Sequence, residues 1–117
     1  SINIKVQREI CFGNEDLLRE MVEEWCSDTR EKMDSIQKMH ELGSGNLLFN
    51  RLHELKTNFT MIRCSHAIQA SEKMLSKLEN GSLLEDADIV LLESLCSDLN
   101  KVVTDSLAKP NFGSLIT

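Results

Sequence analysis

The chain contains a single proline and five glycines in 117 residues, and aromatic side chains make up only 4% of it. So few chain breakers and aromatics exclude a β-sandwich or barrel, whose turns and pleated faces need both. Cationic residues are outnumbered: 13 Lys and Arg face 19 Asp and Glu, for a formal charge of −6. Without a basic patch, nucleic acid is not expected as a partner. No amphipathic segment carries a Lys/Arg-rich polar face, which argues against direct contact with a membrane surface. No apolar run approaches the length of a transmembrane helix, about 18 residues. The N-terminal Ser1-Ile2-Asn3-Ile4-Lys5 is not a signal peptide. Cys11, Cys26, Cys64 and Cys96 follow neither a CxxC metal spacing nor a compact disulfide framework, so reduced cysteines in a cytoplasmic protein are expected.

What is present is Leu, Met, Ile and Val at helical spacing. The pattern predicts one all-α domain over residues 1–117, with a helical core over about 3–108 and a tail at 109–117. A short first segment over about 3–11 is followed by Asn14, a suitable N-cap, with Glu15 and Asp16 in the first turn. The long helix that follows, to about Leu42, carries a stripe through Leu18, Met21, Val22, Trp25, Cys26, Thr29, Met33, Ile36 and Met39. Gly43-Ser44-Gly45 breaks it, and Asn46 is expected to cap a third helix over about 47–63. A turn near Cys64-Ser65 leads into a fourth helix ending at Glu79, stopped by Asn80-Gly81. Ser82-Leu83-Leu84-Glu85 fits a capping box. The last helix places Ile89, Leu92, Leu95, Cys96, Leu99, Val102 and Val103 on one side and ends before Pro110. Short connections between amphipathic helices predict an antiparallel, up-and-down four-helix bundle with an additional short N-terminal helix.

The third helix carries the chemistry. At about 100° per residue, Leu48, Leu52, Leu55, Phe59 and Ile62 gather into a stripe roughly 80° wide, and His53 falls about 140° from its centre. His53 is therefore expected in solvent. Phe49, Lys56, Thr57 and Thr60 share its face at helical spacing. An exposed imidazole with a neutral fraction near pH 7 is a nucleophile. Lys56 is placed to offset charge on a group carried by His53. Thr57 is small enough for another protein to close over the ring, and Phe49 offers apolar contact area. Taken residue by residue, the same choices also suit an ordinary helix surface: Phe49 could pack on a neighbouring helix, and Glu54, Lys56 and Asn58 are normal solvated residues. His40, near the end of the long helix, suits a structural role at its negative end. His66 has no evident partner, and no helical spacing joins His40, His53 and His66 into a metal site.

The run His53-Glu54-Leu55-Lys56-Thr57-Asn58-Phe59-Thr60-Met61-Ile62 resembles the phosphorylation motif of histidine phosphotransfer domains, and the order of helices over about 3–108 is similar to that family. The resemblance implies that His53 accepts a phosphoryl group from a receiver-domain phosphoaspartate and passes it to another receiver's aspartate, with Lys56 in electrostatic support. It implies docking of the receiver around Phe49, Thr57 and Thr60, and a monomer with no nucleotide site or cofactor of its own. Mg²⁺ would belong to the partner receiver. A hybrid sensor histidine kinase is a further implied partner, and the domain would work in the cytoplasm, free or as the C-terminal part of such a kinase. Thr57 and Arg63 stand where many members have Gly. His53-Glu54-Leu55-Lys56-Thr57 also looks like the H-box of the dimerising phospho-acceptor domain of sensor kinases, although Asn58 stands where Pro is usual there. A helical interaction module without phosphotransfer is the third alternative.

Overall fold

The computed structural model describes residues 13–107. The short helix expected over 3–11 and the tail at 109–117 lie outside the described residues. Helix α1 spans Glu15–Leu42. It starts where Asn14 Oδ1 accepts the backbone N–H of Leu17 at 3.0 Å, with Glu15 and Asp16 set against the positive end of the helix dipole. It stops at Gly43, whose φ of 70° is open to glycine at no steric cost. There the backbone N–H groups of Gly43 and Ser44 turn back onto the carbonyls of His40 and Met39.

Helix α2 then begins at once, spanning Gly45–Met61, and its N-cap is Ser44 rather than the expected Asn46. The closure at Gly43 turns the chain so sharply that two residues separate the helices. α2 ends in a similar closure, with Cys64 N–H donating to Phe59 O at 3.1 Å and Arg63 at φ 55°. Helix α3 spans Ser65–Glu79 and closes through Gly81, at φ 80°. Helix α4 spans Asp86–Leu107. The capping box expected at Ser82–Glu85 is displaced by three residues. Leu84 is drawn into the core, the helix starts after it, and the backbone N–H of Glu85 donates to Asp88 Oδ2 at 2.9 Å.

The described residues form four helices and no strand. α1 packs on α2 and α4, α2 also packs on α3, and α3 meets α4 sparingly. The bundle measures 47 × 21 × 20 Å. The expected stripes supply its core. Leu18, Val22, Trp25, Thr29, Met33 and Ile36 are buried from α1, with Met21, Cys26 and Met39 half-buried beside them. On α4 the stripe is narrower than expected: Leu95 is half-buried and Val102 is 46% exposed. Each fully buried Leu or Met contributes about 1.5–3 kcal/mol against chain entropy.

Polar ties join the helices outside this core. Arg30 grips Glu93 with two hydrogen bonds, at 2.6 and 2.7 Å, linking α1 to α4, and Gln37 donates to the same carboxylate at 2.9 Å. His40 Nε2 lies 2.8 Å from Asp86 Oδ1, which gives the expected structural histidine a specific acidic neighbour. Lys77 reaches Asp88 at 2.8 Å between α3 and α4. Cys26 is half-buried, and Cys64 and Cys96 are buried, all three as free thiols. Among the described residues no helix is long and apolar enough to cross a membrane, and no group of three or more His, Cys, Asp or Glu is arranged to hold a metal ion.

Candidate functional site

The core stripe of α2 sets the direction of its outer face. Leu48, Leu52, Leu55 and Phe59 are buried, with Ile62 just past the helix end, and this pins the rotation of α2 against its neighbours. His53, on the far side of that stripe, is exposed. Its imidazole stands beside the ring of Phe49, with centroids 6.5 Å apart and planes inclined by 28°. Phe49 itself is half-buried and packed against the core, so it is anchored in the bundle while remaining partly exposed beside His53.

Around the ring the other predicted residues are arranged unequally. Thr57 Oγ donates to His53 O at 3.3 Å, and Thr60 Oγ to Lys56 O at 3.0 Å. Both hydroxyls thus turn back on their own helix and keep a low profile next to the imidazole. Lys56 lies along the α3 flank, with Nζ 3.6 Å from Glu72 Oε1. A contact that long between partly exposed groups is worth little, so the amine is free to leave it for a stronger anion. His66 and His40 sit on other elements and do not join His53.

Beyond Phe49 an open groove of about 500 Å³ runs toward the α3–α4 connection, lined by Asn46, Phe49, Leu78, Glu79 and Leu83. Leu83 is 78% exposed at its edge. The face of His53 therefore continues, past Phe49, into a shallow groove of mixed polar and apolar lining.

Asn58 is where the sequence reading fails. It was expected as a solvated surface residue and is 1% exposed. Its amide donates to Asp28 Oδ2 at 2.9 Å and Thr29 Oγ at 2.8 Å, and its carbonyl oxygen accepts from Lys32 Nζ at 2.7 Å. The backbone carbonyl of Asn58 also accepts from Trp25 Nε1 at 2.9 Å. Trp25, Asp28, Thr29 and Lys32 lie on one face of α1, so this network locks α1 to α2 one turn past His53. The hydrogen bonds from Lys32 and Asn58 hold the Asp28 carboxyl below the usual carboxylate range. The available signal was Thr29, a polar residue inside an apolar stripe, which needed a partner on a neighbouring helix.

Arg63, noted in place of a common Gly, occupies the left-handed turn that closes α2. No family model matches this chain, and no curated protein or solved structure does so either.

Proposed function

We propose that this chain is a phosphorelay carrier, in which His53 receives a phosphoryl group from the phosphoaspartate of one receiver domain and hands it to the aspartate of another. The observation that supports this reading most directly is the isolation of the His53 imidazole. It projects into solvent on the side of α2 away from the core stripe, beside Phe49 and near Thr57 and Thr60.

A ring nitrogen of neutral His53 attacks the phosphorus of the acyl phosphate. The N–P bond forms as the P–O bond to the aspartate breaks, and the carboxylate leaves with the electron pair. The second transfer reverses these events on another carboxylate. Lys56 abandons its loose contact with Glu72 and faces the phosphoryl oxygens, where an added cation lowers the energy of the charged transition state. Mg²⁺ acts from the receiver, so the carrier needs no cofactor and works as a monomer. Its helices run up and down, since two or three residues between α1, α2 and α3 leave no length for a parallel return. Four helices sharing one core in a single chain favour this reading over a kinase hairpin that must dimerise. Such a carrier meets its receivers in the cytoplasm, free or as part of a hybrid sensor kinase.

The test is a transfer assay with phosphorylated receiver domains and Mg²⁺. Acid-labile, base-stable phosphate is expected on the wild-type chain and not on His53→Gln, which should keep its helicity because the position is exposed. Absence of label from a broad receiver panel would reject the carrier in favour of an interaction module.

A further inference from the structure

Between α3 and α4, which touch sparingly, lies an open trough of about 330 Å³. Ala70 and Met74 of α3 and Leu91 of α4 line its apolar part, and Leu91 remains 43% exposed. Val90, next along α4, is 67% exposed. The polar lining has a sign opposite to that of the chain as a whole. In a protein of net charge −6, counted with His neutral, the trough contributes Lys73 and Lys77 against one acid, Asp88, with His66 and Gln69 as uncharged polar groups beside them. That acid is already paired with Lys77 at 2.8 Å. No described residue pairs with Lys73 or His66.

We propose that the α3/α4 trough is a docking site for an amphipathic helix of a partner protein, one with apolar residues along one side and carboxylates flanking them. A furrow between two loosely packed helices accepts a third helix lengthwise, with apolar residues at intervals of three and four filling it. The occupant's acidic flank follows from the rim. Lys73 has no partner among the described residues and attracts carboxylates, while a Lys- or Arg-rich helix would be repelled. The site is separate from the one assigned above and does not depend on it. Glu72 points along the flank of α3 that meets Lys56 of α2, whereas His66, Lys73 and Lys77 lie about 100–140° around the helix from Glu72. A partner held in the trough therefore leaves His53 uncovered, and a tethered protein would meet other molecules there at raised effective concentration.

The test is fluorescence anisotropy with a labelled synthetic helical peptide of about 18 residues, Leu at heptad-like intervals and Glu beside them, and a twin with Lys replacing each Glu. The Glu peptide should bind the wild-type chain with Kd of about 10–100 μM and the Lys twin should not bind. Leu91→Asp should weaken binding about tenfold or more, and Lys73→Glu about threefold or more. Both side chains are exposed, so circular dichroism should match wild type. His53→Gln should bind unchanged, which separates this result from failure of the carrier reading. No binding, equal binding of the two peptides, or indifference to Leu91→Asp and Lys73→Glu would overturn the proposal. So would wild-type self-association on sedimentation that Leu91→Asp abolishes, because the occupant would then be a second copy.

Discussion

The ring of Phe49 lies 6.5 Å from the imidazole of His53, one helical turn earlier on α2 and inclined to it by 28°. Because Phe49 is also packed into the edge of the core, it is held in place beside the exposed imidazole. Phe49→Ala should lose about 1–2 kcal/mol of stability, less than a fully buried Phe would. Under the proposed carrier role it should also slow phosphoryl transfer to His53 severalfold, because contact area beside the imidazole is removed. Urea denaturation and a transfer time course measure the two effects separately. Transfer at the wild-type rate would exclude Phe49 from the site.

Asn58 should matter more to stability than its place in the sequence suggests. Ala at this position strips Asp28 and Thr29 of a donor and Lys32 of an acceptor, while the Trp25 bond to the backbone survives. A cost of about 1–2 kcal/mol is expected, since Thr29 is left buried without its donor, whereas Asp28 and Lys32 reach solvent and keep each other at 2.8 Å. Equilibrium unfolding of Asn58→Ala reads it directly. A change under about 0.5 kcal/mol would mean that water replaces the amide.

Arg63 holds φ at 55°, a conformation that glycine adopts without the clash an L side chain suffers. Arg63 is exposed, so little packing is at stake. Arg63→Gly should therefore raise stability by about 0.5–1 kcal/mol, the relief of strain exceeding the added entropy of the unfolded chain. A thermal melt shows it as a rise in Tm, and a fall would mean that the arginine side chain contributes contacts of its own.

Acid should loosen the bundle through its interhelical carboxylates. The hydrogen-bonded Arg30 guanidinium holds Glu93 below the ordinary range, outweighing burial, and Lys32 and Asn58 do the same for Asp28. A carboxyl whose folded pKa is depressed binds fewer protons folded than unfolded. Its contribution is full above the unfolded pKa, about 4–4.5, and is lost as pH falls from there through the folded value. Stability measured from pH 6 down to 2 should decline over the acid part of that range, and Glu93→Gln should decline less steeply. Parallel pH profiles would remove the Arg30–Glu93 pair as a cause.

Much of the helical layout was legible because its signals are local. Asn14 caps the turn that follows it, Gly43 ends the helix that precedes it, and α3 ends at Glu79 before Asn80-Gly81, as expected. The candidate site was legible in the same way. Spacing alone put His53 opposite Leu48, Leu52, Leu55 and Phe59, and the structure leaves it exposed. The start of α4 was not legible, because the burial of Leu84 decided which acidic residue would close the first turn.

The sequence by itself thus determined the helices, their inward faces and the outward direction of His53, since a period of 3.6 residues ties side-chain direction to position along the chain. Only the tertiary structure decided what lies at the edges of those faces. Asn58 became a buried lock because α1 brought Asp28, Thr29 and Lys32 to it. Arg30 found Glu93, 63 residues away, and Lys56 was drawn to Glu72 on α3. A residue at the margin of a stripe is buried or solvated according to the helix that packs beside it, and neighbours distant in the chain have no local spacing to announce them.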